Sequence, residues 1–559
     1  MVDDVSSTLV TTSSTTYISG LSGFDSSALI EAAVQAKLAP AYVLEARVEE
    51  DEAVLSSYSE MASLLETLED TLNALRNEPG TLSDPSVFES RAAYLSSDDS
   101  STPGNYLGVV VDENTEPTSY EIQIQQLATA HKISSDRQSS ETDALGLDGV
   151  FSLGAGSSSA DITITADMSL EDVRNAINDS SDESGVSASI LQVSDTEFIL
   201  VLSASETGQE ISLSSVSGDD IAQKLGILNT DSSVKNELQT VQNAILSVDG
   251  VQVERSTNSI DDLIEGVSLD LYSANQDATF TLELDYSYSD VKEELLAFVD
   301  AYNAYREFAL IHQDVDSSGN VSEDATLFGD DVLRGVNNSL YDSLNDTWDV
   351  DGVTYSLGSL GITFDSENAL EVDETVLDAF LLDNIDVVAE MFEFQYESDD
   401  ENLMVLSREG QIASGSYALD ISVDGGGNIT DVSVDGDNSL FEIDGNTLTG
   451  VAGSEFAGMV FVFTGTESST VNISFSQGFA DSLYNELDDY TNVVDGSLTE
   501  AQRAREERLS NATSEISSIE SAAAAEEERL ITYYANLEAK IAVANALSDY
   551  LDAITSSDD

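Results

Sequence analysis

Of the side chains that do chemistry in proteins, this sequence has one kind in great excess and almost none of the others. Its 559 residues include 107 Asp and Glu, 19 Lys and Arg, two histidines (His131 and His312) and no cysteine. Without thiols there can be no disulfide, no cysteine nucleophile and no thiolate metal site. Two histidines are too few for a multi-histidine zinc centre, and no histidine-based triad is evident. His131 reads as a structural residue at the end of a strand. The carboxylates are abundant, but no pair stands apart from the rest as an acid and base couple would. The chain therefore reads as a non-enzyme with no cofactor and no metal.

Two short motifs imitate ligand sites. Asp314, Asp316, Ser318 and Gly319 match the first half of a calcium loop, but its twelfth position is Ala325 where a bidentate Glu is required. An acidic turn between helices accounts for it. Gly425 to Asn428 is glycine-rich, yet it lacks the lysine and the strand-loop-helix setting of a phosphate loop and reads as a hairpin turn.

The net charge of -88 argues against nucleic acid and against insertion into or binding to an anionic membrane. With acidic residues in every segment, it suggests a solvated surface adapted to concentrated salt. No apolar run is long enough to span a bilayer. Residues 1-19 are rich in Ser and Thr, lack the basic start and apolar core of a secretory signal, and are expected to be disordered. That leaves the cytoplasm, or export by a route that uses no such signal.

The elements that must position everything else lie at the two ends. From Glu500 to Ile554, Leu509, Ala512, Ile516, Ile519, Ala523, Leu530, Tyr533, Leu537, Ile541, Ala544, Leu547, Leu551 and Ile554 follow steps of three and four, with a charged break at Glu526, that keep one narrow apolar stripe. A helix of that length runs about 80 Å and needs a partner. Ser497 with Glu500 predicts a capping box at its start. The matching stripe is Leu44, Val48, Leu55, Tyr58, Ala62, Leu65, Leu68, Leu72 and Leu75, broken at Asp51, overwound near Leu68 by two successive three-residue steps, and stopped by Pro79-Gly80. The termini are thus expected to pair as a leg, with the rest as an insertion between them. Before the leg, residues 20-40 predict a short helix capped at Asp25 or Ser26 and ended at Ala39 by Pro40.

From Val87 the pattern turns to period two, with strands expected at Val109 to Val111, Tyr120 to Gln126, Ile162 to Ile164 and Phe198 to Leu202, and a short helix from Met168 to Ile177 capped by Ser169. Ala244 to Leu271 predicts a hairpin turning at Asp249-Gly250. A turn of helix starting at Asn258 follows, ended by Gly266, and then a strand of Val267, Leu269 and Leu271. Arg255 and Asn258 read as turn and cap residues. Helical spacing returns with Val291, Leu295, Phe298, Tyr302, Tyr305 and Ala309, then Leu327 to Val336, then a hairpin and helices over Leu357 to Phe392.

Several of these segments resemble the flagellar filament cap protein family, also called hook-associated protein 2. The similar segments are Gly-Leu-x-Gly-x-Asp at residues 20-25 with the short and long helices that follow, QLATAHKISS at Gln126 to Ser135, and the series VDG, RSxN and Gly-Val-x-Leu with Asp249, Gly250, Arg255, Asn258 and Gly266. FVDAYNAY with Phe298, Tyr302 and Asn303, and the Leu-Gly-Ile strand before the Leu-x-Val-Asp helix entry, belong with them. Residues from about Ser407 to Gln477 depart from that plan and read as an extra small β-domain, with strands at Tyr417 to Val423, Ile429 to Val434, Leu440 to Ile443 and Met459 to Thr464.

The expected fold is α+β and multidomain, with terminal helices paired as a coiled-coil leg, a helical bundle, and inserted antiparallel β head domains. Its divisions are a tail (1-19), N-terminal leg helices (20-80), a β-rich head in two domains (81-288, the second including 240-288), a bundle (289-400), the extra β-domain (401-478) and the C-terminal leg helix (479-559). The resemblance implies a secreted structural protein at the flagellum tip, a homo-oligomeric ring of several copies, about five, that promotes polymerisation of flagellin. Its implied partners are flagellin, the hook-filament junction proteins and an export chaperone, and the leg residues Leu44, Val48, Leu55, Leu65, Leu72, Leu509, Ile516, Leu530, Leu537, Ile541 and Leu551 would form the leg and oligomer interface. A surface adhesin and a hook-filament junction protein are the alternatives.

Overall fold

The computed structural model describes residues 26-78, 86-113, 115-315 and 318-555, and the backbone of 8-11 and 16-19. It divides into two units, Met1–Ser86 with Lys292–Asp559, and Val87–Val291.

The first unit is built on two long helices, Ser27–Leu75 and Ser497–Thr555. They run antiparallel: Ser26 lies beside Glu538, Asp51 pairs with Arg505, and Glu69 meets Thr491 just before the second helix starts. The N-terminal leg helix is continuous, against the expected break at Ala39. Pro40 removes one backbone N–H and crowds the carbonyl of residue 36, but Ala36 and Pro40 both face solvent, where water can take up the orphaned carbonyl. The alanine-rich flanks and the partner helix hold the rest. Ser26 does stand at the N-cap, but its hydroxyl makes no cap hydrogen bond and donates to Glu538 Oε1 at 3.3 Å.

The buried seam of this helix is Val54, Tyr58, Met61, Leu65, Leu68, Leu72 and Leu75. These alternate steps of four and three without interruption. Reading Leu55 and Ala62 into the stripe created the apparent overwinding; both are only half-buried, and Val54 and Met61 take their places. Pro79 and Gly80 lie outside the described residues.

The C-terminal leg helix begins at Ser497, so that residue is inside the helix and no capping box forms; its hydroxyl is buried without a hydrogen-bond partner among the described residues. The turn is held instead by Arg503, whose terminal nitrogens donate to the carbonyls of Val494 and Val493 at 2.8 and 2.5 Å. Within the stretch expected to be disordered, Thr8–Thr11 pairs antiparallel with Thr16–Ser19, and the second strand lies along this leg helix. Thr, Val, Ile and Tyr are strand formers, and reading the composition as polar alone missed them.

Phe479–Thr491 and Asp331–Leu344 pack against the leg, and Tyr288–Ile311, which enters this unit at Lys292, and Glu374–Phe392 meet the Phe479–Thr491 helix. Phe479 is their hub, meeting Phe298, Phe392 and Trp348 edge to face at 5.3, 5.2 and 5.5 Å. The segment 479-491, expected to be part of the leg, thus belongs to the bundle.

The inserted β-domain begins at Gln395, earlier than expected, and is a pair of four-stranded antiparallel sheets. One has the order Gln395–Ser398, Ser469–Ser476, Gly415–Val423, Ile429–Val434; the other Leu403–Arg408, Met459–Phe463, Thr447–Gly450, Phe441–Asp444. Its core includes Phe441, Phe456, Phe461, Phe463 and Phe475.

The second unit nests one β-domain in another. The outer one has a five-stranded sheet in the order Val251–Arg255, Ala244–Val248, Thr118–Gln126, Asn275–Tyr286, Arg91–Ser97, and a three-stranded sheet of Ser259–Ile264, Val267–Leu271 and Leu107–Val111. The inner one, between Lys132 and Gln239, packs two further sheets against the helix Leu170–Asp179, whose capping box at Ser169 and Asp172 is present. Residues 259-264 form a strand, not the expected turn of helix. Ile260 and Ile264 are buried, and the backbone pairs with Val267 to Asp270, so tertiary pairing overrides the local helix signal.

Candidate assembly surface and family-motif residues

The leg is the first candidate site. Leu65 and Leu72 are fully buried, whereas Leu44, Val48, Leu55, Leu509, Ile516, Leu530, Leu537 and Ile541 are half-buried and Leu551 is exposed. Beyond Ile541 the helix runs on to Thr555 with Val543, Leu547 and Tyr550 exposed at 71, 58 and 63 %. The seam therefore covers only part of the apolar stripe. Nearer the pairing end, a groove lined by Ile30, Val34, Ile531 and Ala535 opens between the helices, with a volume of about 420 Å³.

Charged groups set the register. Asp51, which looked like a break in the stripe, forms an ion pair with Arg505 across the helices, and such a polar pair favours one alignment. Glu526, the other break, pairs with Arg529 on its own helix at i+3. Tyr58 donates to Asp330 at 2.6 Å, tying the leg to the start of the Asp331–Leu344 helix; burial first, then that carboxylate, push the phenol well above its usual range. Glu69 accepts from the Thr491 hydroxyl at 2.6 Å. Burial, aided by Asp488, Glu66 and Asp70 and opposed by that hydrogen bond, pushes its carboxyl up to about 7.

The motif residues are structural clasps. Asp249 and Gly250 have positive φ, 49° and 78°, as a tight primed turn needs, and the Asp249 carboxylate accepts from the Glu121 amide at 2.8 Å. Arg255 pairs with Asp262 at 2.8 Å. Asn258 is no helix cap. Its amide nitrogen donates to the Ala128 carbonyl at 2.9 Å and its oxygen accepts from the Ala128 amide at 2.7 Å, imitating a strand neighbour for the QLA segment. Gly266 has φ 72°, and a Cβ there would meet Thr115 Oγ1 at 2.5 Å. In the bundle Phe298 is fully buried, Tyr302 donates to Asn368 O at 2.8 Å, and Asn303 clasps Leu370 by both backbone groups at 2.9 and 2.7 Å. Burial raises the Tyr302 phenol to about 12.

Sequence reading missed one joint. Arg408 of the inserted domain forms a fully buried ion pair with Asp481 of the Phe479–Thr491 helix, and its guanidinium lies over the Phe394 ring at 4.6 Å. Burial lowers Arg408 to about 10. Around it, Gly410 N donates to Asn485 Oδ1 at 3.0 Å and Gln411 Nε2 to Ser482 O at 2.6 Å. The signal was present: Arg408 is the only Lys or Arg between Arg334 and Arg503. Among the described residues no group of His, Asp and Glu is arranged to hold a metal, and no helix is long and apolar enough to cross a membrane. Asp316 of the calcium-loop imitation lies outside the described residues.

Antiparallel terminal helices, a helical bundle and antiparallel β-domains define an α+β multidomain protein. The chain belongs to the flagellar hook-associated protein 2 family. The family's C-terminal profile matches residues 241–546 and its N-terminal profile residues 22–131, and a flagellin hook IN motif matches 150–215. The chain is 27 % identical over 356 residues to the B-type flagellar hook-associated protein 2 of Pseudomonas aeruginosa, covering 60 % of this chain and 72 % of that protein. It is 29 % identical over 376 residues to the Escherichia coli K12 protein, covering 64 % and 76 %. With the Salmonella typhimurium protein the identity is 30 % over 232 residues, covering 40 % and 49 %. Among solved structures, the D1-D2-D3 domains of the Escherichia coli flagellar cap protein FliD align with 26 % identity over 60 % of this chain and 89 % of that one, at a TM-score of 0.44. The family is that of the flagellar filament cap, a structural component exported to the filament tip; the matches support this reading and lend none to the junction-protein and adhesin alternatives.

Proposed function

We propose that several copies of this chain form the cap through their legs and promote addition of flagellin beneath it, without catalysis and without a cofactor. The observation that carries this reading is the incomplete seam. A helix that continues past its partner with Val543, Leu547 and Tyr550 exposed offers apolar surface that a neighbouring subunit can cover. Leu65 and Leu72 then hold the helical pair from inside, Leu44, Val48, Leu55, Leu509, Ile516, Leu530, Leu537 and Ile541 both hold it and present its rim, and Leu551 extends that rim. The β-domains of the second unit form the plate of the cap in this reading. Junction proteins would meet it before filament growth begins, and an export chaperone would shield the leg before secretion.

The decisive experiment is Leu537→Asp in the full chain. It is expected to leave the β-domains folded by circular dichroism, lower the melting temperature of the helical transition and abolish rings by electron microscopy. Intact rings refute the leg interface. Deleting the gene tests the larger reading: flagellin should leave the cell as monomers, and normal filaments in that strain would overturn it.

A further inference from the structure

A groove runs between the helices Tyr288–Ile311 and Asp331–Leu344, made of two adjoining hollows of about 290 and 220 Å³ that share Gln313, Asn337 and Asn338. In a protein with 107 acidic residues, the lining contains one carboxylate, Asp330. That carboxylate is fully engaged: Oδ1 accepts from the amides of Val332 and Leu333 at 2.9 and 3.1 Å, and Oδ2 accepts from Tyr58 at 2.6 Å.

The same groove holds two guanidinium groups. Arg306 is half-buried; its Nε donates to Glu367 O at 2.9 Å, and its two terminal nitrogens have no partner among the described residues. Arg334 pairs with the solvent-facing Asp331 at 3.1 Å and donates to Gly329 O at 3.0 Å. Asp365, near Tyr302 but outside the lining, accepts through Oδ1 alone from the amides of Glu367 and Ala369 at 2.7 and 2.8 Å. Phe328 and Tyr341 stand exposed at 49 and 52 %. The Asn338 amide adds neutral hydrogen-bonding capacity. Free guanidinium nitrogens offer a fork suited to carboxylates, and exposed aromatics suit the apolar stems of a peptide.

We infer that this groove is a docking site for an extended acidic peptide segment of a partner chain, with Arg306 receiving a carboxylate and Phe328 and Tyr341 flanking the backbone. Charge complementarity points to the class: the lining sets two guanidinium groups, Arg306 with free terminal nitrogens and Arg334 paired with Asp331 outside the lining, against the single, occupied carboxylate of Asp330. The inference is independent of the leg interface, which lies on other helices.

The test is fluorescence anisotropy with fluorescein-labelled hexaglutamate and hexaglutamine on the full chain, in chloride of about 1 M so that long-range repulsion is screened. Hexaglutamate should bind at least tenfold more tightly than hexaglutamine, and Arg306→Gln with Arg334→Gln should abolish the difference with an unchanged melting temperature. Arg306→Lys should recover only part of it, because a lysine cannot present the fork. Absence of hexaglutamate binding, equal binding of the two peptides, or full binding by the double variant overturns the assignment. If the double variant melts early, Asn338→Ala, at an exposed helical position, replaces it, with a threefold loss of hexaglutamate affinity expected and an unchanged affinity counting against the site.

Discussion

Asn258 shows what a single side chain contributes here and how far its sequence announced it. Its place in the RSxN motif was legible, but its task was not, because a side chain that stands in for a strand neighbour does so at a distance of 130 residues. Asn258→Ala would leave both backbone groups of Ala128 without those partners, at a cost of roughly 1–3 kcal/mol for such buried polar groups. The expected result is a lower melting temperature for the Val87–Val291 unit with the leg transition unchanged, read by calorimetry of the full chain. Glu69 makes a pH prediction. Its folded pKa, about 7, lies above the ordinary glutamate value of 4.5, so its contribution to stability is fully present below about 4.5 and is lost as pH rises through 7. The junction of the leg with the Phe479–Thr491 helix should therefore be firmer at pH 6 than at pH 8. Glu69→Gln keeps an acceptor for Thr491 and should flatten that dependence, stabilising the protein at pH 8 by on the order of 1 kcal/mol once solvent screening of this incompletely buried group is allowed for. A pH profile of the mutant parallel to that of the parent protein would exclude Glu69 as the source.

Among the elements, periodicity was the most readable signal and single punctuation residues the least. The two leg helices, the Ser169-capped helix and four of the eight strands of the inserted domain follow directly from spacings of three to four and of two; Gln395–Ser398, Leu403–Arg408, Thr447–Gly450 and Ser469–Ser476 were not read. The seam was misplaced by one residue at Leu55 and Ala62 because Val54 and Met61 are equally apolar, and sequence cannot say which of two adjacent apolar residues faces the partner. Pro40 misled in the other direction: its local cost is real, yet forty-nine helical residues braced by a partner absorb it. This gives a direct test. Pro40→Ala restores an N–H that can reach residue 36 and should raise the stability of the leg by about 1–3 kcal/mol without changing the head. Thermal unfolding followed at 222 nm would show it as an upward shift of the helical transition; an unchanged or lower midpoint would mean that the strain at Pro40 is already relieved in the native helix.

For the whole molecule the dominant quantity is the charge of -88, which was legible from the first count of residues, although its structural distribution was not. Several of the scarce cations are spent at joints: Arg505 on Asp51 across the leg, Lys292 on Glu374 and Asp378 between two bundle helices, and Arg408 on Asp481 under the inserted domain. These pairs respond differently to salt. A buried pair such as Arg408 and Asp481 is hardly screened, whereas repulsion among exposed carboxylates decays over a Debye length of about 10 Å at 0.1 M and about 3 Å at 1 M. Because unpaired repulsion far outweighs the exposed attractions, added salt should stabilise the protein and strengthen its assembly. The melting temperature should rise steeply between 0.1 and 1 M potassium chloride and flatten above, and sedimentation should show larger assemblies over the same interval. Sodium sulfate at matched ionic strength separates the causes, since it also strengthens apolar burial: coincident chloride and sulfate curves would assign the effect to screening, while stabilisation confined to sulfate would assign it to burial and remove the adaptation to salt inferred from composition.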